Sequence, residues 1–143
     1  MKSSVSCFGE NVRFEGEIIL GRGVGETLGF PTLNFKIPEK FELAEGVYAC
    51  KLFAKHSRSR TKNQEPRTRF GVLFFGKRQT FDNQKALEVH ILDEVLALSP
   101  NEAKVEVLDR IREVKKFENE DELKKQIKKD CLAARKILEK NEI

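Results

Sequence analysis

The sequence predicts a mainly β protein, an antiparallel barrel or sandwich finished by one C-terminal α-helix. Three observations carry that prediction. Short segments with apolar residues at every second position recur between Val12 and Phe117, divided by Gly-, Pro- and charge-rich turns. After Asn119 the apolar period changes from two to three and four. The chain has 143 residues, 39% of them hydrophobic and 35% charged, which suits one globular domain with a single core. One domain is therefore expected over residues 1–143, with the β part over about 12–117 and the helix over about 120–140.

The elements follow in order. Val12–Gly21 alternates and puts Val12, Phe14, Gly16, Ile18 and Leu20 on one face. Pro31–Ile37 reads as a second short strand, with Leu33, Phe35 and Ile37 opposite Thr32 and Asn34, and Pro38 opens a turn. Gly46–Lys55 is a third strand. Thr68–Gly76 is a fourth, apolar on both faces near its end through Val72, Leu73, Phe74 and Phe75. Ala86–Leu92 is a fifth, with Leu87, Val89 and Ile91 on one side and Glu88, His90 and Leu92 on the other. Lys104–Phe117 is expected as a sixth strand, long and bent. Closure into a barrel would remove the exposed sheet edges. Asn119, three residues before Glu122, reads as a helix cap. Leu123, Ile127, Cys131, Ala134 and Leu138 then make one apolar stripe across Asp121–Lys140, so the helix should pack on the sheet as a structural lid.

Composition excludes several classes. No apolar run approaches the ~18 residues of a membrane span, and the first residues lack the apolar stretch of a signal peptide. Cys7, Cys50 and Cys131 are odd in number, widely spaced and without a C-x-x-C, which argues for reduced thiols in a cytoplasmic protein rather than a disulfide framework or zinc site. Residues 55–69 carry a local charge of +5 against +4 for the whole chain, so one stretch supplies the entire basic excess. Such a run suits either a solvated loop between strands or an RNA- or phosphate-binding arm. It holds no aromatic residue to stack on bases, which argues against nucleic acid as a partner.

The most distinctive stretch runs from Gly21 to Asn34. Gly21, Gly23, Gly25 and Gly29 lead into Phe30-Pro31-Thr32-Leu33-Asn34. Glycines let successive N–H groups form an anion-binding concavity, although a ligand-free hairpin turn would need them equally. Thr32 and Asn34, two apart on a strand, would point to one side and offer the hard oxygen donors that suit Mg²⁺. The loop leads into a strand instead of opening a helix, and no G-x-x-x-x-G-K-[ST] is present, so the common phosphate-loop motif does not apply. A strand-borne Glu88 suits a general base, and equally a solvated strand carboxylate. His90, on the same face, reads as a packed or hydrogen-bonded strand residue.

The order of these blocks resembles the riboflavin kinase (flavokinase) family, from about Val12 to Leu138. The blocks are Leu28-Gly29-Phe30-Pro31-Thr32-Leu33-Asn34, Gly46-Val47-Tyr48, Gly76…Thr80-Phe81, Glu88-Val89-His90-Ile91-Leu92-Asp93, Ile111-Arg112 and Lys116-Phe117. The resemblance, to the C-terminal kinase domain of bacterial bifunctional riboflavin kinase/FMN adenylyltransferase, implies a six-stranded antiparallel Greek-key barrel with the helix packed on it. It also implies transfer of the ATP γ-phosphoryl to the ribityl 5′-hydroxyl of riboflavin, making FMN, with ATP/ADP and riboflavin/FMN as partners and no membrane. Carried over by position, Thr32 and Asn34 bind Mg²⁺ and nucleotide phosphate, Gly21, Gly23 and Gly25 form a flap over the phosphates, and Glu88 is the catalytic base. A monomer is expected. No His-x-Gly-His occurs, so the adenylyltransferase half is not expected in this sequence.

The chain departs from the family pattern at three blocks. Glu26 or Thr27 stands nearest a family Arg. An Asn-Ile-Gly-x-x-Pro-Thr-Phe turn has become Phe74-Phe75-Gly76-Lys77-Arg78-Gln79-Thr80-Phe81, losing an amide and a proline. An Asp-Phe…Leu-Tyr-Gly run has become Asp93-Glu94…Leu96-Ala97-Leu98. An acid near phosphates should weaken ATP binding. The alternatives are a flavin- or nucleotide-binding relative with weakened catalysis, or a nucleic-acid-binding barrel using residues 55–69.

Overall fold

Six antiparallel strands, β1 (Val12–Ile19), β2 (Leu33–Phe35), β3 (Gly46–Lys55), β4 (Thr68–Lys77), β5 (Lys85–Ile91) and β6 (Glu102–Arg112), precede a helix, α1 (Glu120–Asn141). The strands close into a barrel in the order β1-β2-β5-β4-β3-β6. Consecutive β3, β4 and β5 are neighbours while β6 returns beside β3, which is the Greek-key arrangement. The computed structural model describes residues 12–19, 29–55, 68–77, 84–93 and 100–141. Leu20, Glu26, Gln79 and most of the basic stretch 55–69 lie outside the described residues.

Strand alternation sorts side chains between the lumen and the outer surface. Tyr48, Cys50 and Leu52 of β3, Leu73 and Phe75 of β4, Leu87, Val89 and Ile91 of β5, and Ala103, Val105 and Val107 of β6 form the buried lumen. Phe35, Val12, Phe14, Ile18 and Leu33 complete it from β1 and β2. Phe14 meets Phe35 edge-on at 5.9 Å and Phe41 at 5.0 Å, and Phe41 meets Phe75 at 4.9 Å. These four rings are therefore barrel filler, in the edge-to-face geometry that aromatic quadrupoles favour. Burial pushes the Cys50 thiol up to about 12, although a backbone hydrogen bond at Gly71 lowers it, and both Cys50 and Cys131 are free.

The outward residues of β3 and β4 make a second core. Val47, Ala49 and Val72 are buried with Leu92 against Ala134 and Leu138 of α1, and Phe70, Phe74, Leu108, Ile111, Cys131 and Ile137 pack around them. This explains the two-faced hydrophobicity of β4. The helix starts where its cap predicts: the Glu122 N–H donates to Asn119 Oδ1 at 2.9 Å. Two ion pairs fix its azimuth. Arg112 reaches Asp130 through Nε at 2.9 Å and Nη2 at 2.8 Å, with Gln126 donating to the same carboxylate at 3.0 Å. Arg135 grips Asp93 with two hydrogen bonds of 2.6 Å.

β6 and β2 differ most from their expected bounds, and β4 and β5 by one residue at one or both ends. β6 begins at Glu102 and ends at Arg112, short of Phe117. Its pairing with β3 shifts register on both sides of Tyr48, and beyond that irregularity Arg112 turns to Asp130 and to the Glu113 carbonyl. β2 holds only three residues instead of Pro31–Ile37. Pro31 has no N–H to continue a ladder, and the Lys36 N–H instead donates to the Glu17 carbonyl at 2.9 Å. Gly76 stands at φ 150°, and a Cβ there would sit 2.7 Å from Val114 Cγ2, so both conformation and space favour glycine.

Candidate active site

Strand order decides which side chains meet. β2 lies between β1 and β5, and its register sets Asn34 directly opposite Glu88, with Leu33 opposite Val89 and Phe35 opposite Leu87. Since Leu33, Phe35, Leu87 and Val89 face the lumen, Asn34 and Glu88 share the outer surface. Thr32, two residues before Asn34, joins them: its hydroxyl donates to Glu88 Oε1 at 3.4 Å. All three are half-buried. The contact is long for an O–H···O bond, and catalytic contacts often tighten only when substrate is bound.

The three predicted residues thus converge from positions 56 residues apart in the chain. Gly21, Gly23 and Gly25 lie outside the described residues. Gly29, the last glycine before the motif, sits at φ 89°, a left-handed conformation that delivers the chain into Phe30 and Pro31. His90 is a hydrogen-bonded strand residue, as expected: its Nδ1 lies 2.8 Å from the Pro31 carbonyl, and Phe30 meets its ring edge-on at 5.5 Å.

Two neighbours of the site were not legible beforehand. Phe74 of β4 lies directly opposite Glu88 on the side away from Asn34, and Val72 lies opposite His90. The amide lost from the Asn-Ile-Gly block is therefore lost beside the carboxylate itself. Ile19 of β1, 45% exposed, lies opposite Asn34. Cross-strand register was the missing signal in both cases, because single strands do not reveal it.

The chemical inventory is a hydroxyl, an amide and one carboxylate. Among the described residues no group of three or more His, Cys, Asp or Glu could hold a metal by itself. An ion here would need ligands beyond these described side chains.

A bifunctional riboflavin kinase/FMN adenylyltransferase of Haemophilus influenzae is 35% identical over 91% of this chain and 40% of its own length. A trifunctional protein RibF/MnmA of Mycoplasmoides gallisepticum is 34% identical over 90% of this chain and 18% of that protein. The chain thus spans about 40% or less of the length of these curated relatives. A crystal structure described as a macrolide-efflux protein from Streptococcus pneumoniae shares the fold with a TM-score of 0.68 and 28% identity, over 87% of this chain and 38% of that one. No described helix of the present chain is long and apolar enough to cross a membrane. The family model described as Flavokinase: Riboflavin kinase matches residues 8–138, and the chain belongs to that family.

Proposed function

We propose that this chain transfers the γ-phosphoryl group of ATP to the ribityl 5′-hydroxyl of riboflavin, producing FMN and ADP. The observation that carries the reading is the meeting of Thr32, Asn34 and Glu88 on one outer strip of a riboflavin kinase family barrel. Glu88 accepts the hydroxyl proton as the oxygen bonds to the γ-phosphorus. The bond to the β–γ bridging oxygen breaks, and ADP leaves with the electron pair. A positioned carboxylate base contributes roughly 10²–10⁴-fold in rate. Most of the remaining barrier is lowered by positioning and charge neutralisation, as phosphoryl transfer requires.

Thr32 Oγ1 and the Asn34 amide oxygen are the donors for Mg²⁺. Two neutral oxygens beside a single carboxylate suit an ion that keeps several waters and takes its other ligands from substrate phosphates. Mg²⁺, when bound, supplies positive charge against the phosphate oxygens. Gly21, Gly23 and Gly25 are assigned to the flap over those phosphates.

Incubation with riboflavin, ATP and MgCl₂, followed by chromatography, tests the reading. Formation of FMN is the expected result, and intact ATP beside bound riboflavin would refute it. Asn34→Ala should chiefly raise the Mg²⁺ concentration needed for half-maximal rate. An unchanged Mg²⁺ requirement would remove Asn34 from the metal site.

A further inference from the structure

The β2–β5 ladder stops one residue short of Thr32. Its pairs are Leu33 with Val89, Asn34 with Glu88 and Phe35 with Leu87, and continuing the register would set Thr32 opposite His90. The ladder ends at Leu33, so Thr32 and Pro31 lie outside the strand. Pro31, without an N–H, cannot supply the next backbone bond. The His90 side chain, pointing outward from β5 like Glu88 two residues earlier, instead ties the segment down through the Pro31 carbonyl. Its Nδ1 lies 2.8 Å from the Pro31 carbonyl, and its ring receives Phe30 edge-on at 5.5 Å. A carbonyl oxygen can only accept, so the imidazole carries its proton on Nδ1.

We propose that His90 is a positioning residue for Thr32: where the ladder has ended, the imidazole donates to the Pro31 carbonyl and holds Phe30-Pro31-Thr32 so that the Thr32 hydroxyl faces Glu88. The inference rests on the kinase reading, because Thr32 matters through the Mg²⁺ and phosphate it is assigned to hold. His90 touches neither Thr32 nor Glu88 chemistry directly. Its effect is therefore on nucleotide capture more than on the chemical step.

The test uses two substitutions of similar bulk. His90→Asn keeps an amide N–H near the Nδ1 position, whereas His90→Leu fills space without a donor. His90→Leu should raise KM for Mg²⁺-ATP about five- to tenfold, the worth of one net hydrogen bond, and leave KM for riboflavin within about twofold. His90→Asn should recover most of that loss. Titration calorimetry with Mg²⁺-ADP should show the same order without turnover. Nitrogen-15 spectra of the unliganded wild type should show the proton on Nδ1. Equal losses in the Asn and Leu variants, a riboflavin KM that rises as much as the nucleotide KM, or a proton on Nε2 would each overturn the positioning role alone. Wild-type protein that makes no FMN and binds no Mg²⁺-ADP would overturn the kinase reading itself and this inference with it.

Discussion

The outer surface of the barrel carries two regions made by the same alternation and put to opposite uses. Over β2 and β5 the outward residues include Asn34, Glu88 and His90, with Thr32 beside them, each half-buried and polar. Over β3 and β4 they are Val47, Ala49, Val72 and Phe74, sealed beneath Ala134 and Leu138 of the helix. The border runs between β5 and β4, where Glu88 faces Phe74 and His90 faces Val72. One side leaves polar groups within reach of a ligand. The other removes apolar surface from water and anchors the scaffold that keeps the first side in register. Catalysis and stability should therefore separate across that border.

The strongest way to break this comparison is at Glu88. Glu88→Gln should lower kcat by about 10²–10⁴-fold, the range expected for loss of a general base, while leaving the melting temperature near that of the wild type. Glu88 is half-buried and belongs to neither apolar cluster, so a large fall in stability would show that the two regions are not independent. Undiminished turnover would sink the base assignment.

On the helix side, Arg112 offers the next largest effect. Its side chain is 16% exposed and that of its partner Asp130 only 3%. Arg112→Ala strands a buried carboxylate and should cost about 3–5 kcal/mol in urea unfolding. Replacing both partners by apolar residues of similar volume should restore much of that loss, because the cost lies mainly in the unpaired charge. Leu138→Ala should follow at about 2–5 kcal/mol, depending on how far the helix settles into the cavity. For both variants, kcat of the folded fraction should remain close to wild type. A selective fall in kcat would mean that the helix reaches the site.

Much of this division was legible in the sequence, because it depends on local period. The lumen side of β5 and the two-faced β4 follow from alternation, and the helix stripe and Asn119 cap follow from spacing within one or two turns. What was not legible depends on partners distant in sequence. The meeting of Asn34 and Glu88 requires β2 to pair with β5, and nothing within either strand specifies that choice. The residue roles came from the family resemblance, whereas their adjacency came from register. The expected strand ran from Pro31, yet the ladder begins at Leu33, and the tie from His90 to the Pro31 carbonyl joins residues 59 apart in sequence. The Ile-Arg and Glu-x-His-Ile-Leu-Asp blocks read as kinase signatures, but Arg112 and Asp93 serve the helix rather than the site. The end of β6 was placed too late because Val114 and Phe117 keep apolar residues coming after the ladder has stopped at Arg112.

The smallest effect sharpens the comparison by contrasting the two ion pairs that seat the same helix. Arg135 and Asp93 make two hydrogen bonds of 2.6 Å, but their side chains are 42% and 68% exposed. The Arg135 hydrogen bonds, aided by its charge, hold the Asp93 carboxyl below its ordinary value. A carboxylate whose folded-state value is depressed adds stability above its unfolded value, about 3.9 for Asp, and loses it as pH falls through the lower folded value. Arg135→Ala should therefore lower the melting temperature slightly and equally between pH 5 and 8. The difference from wild type should shrink only in more acidic solution, and 1 M salt should reduce it at every pH. Arg112→Ala should keep most of its effect in the same salt, because the buried Asp130 carboxylate is screened far less. Equal salt sensitivity in the two variants would show that burial does not distinguish the pairs, and that the helix is held chiefly by its apolar stripe.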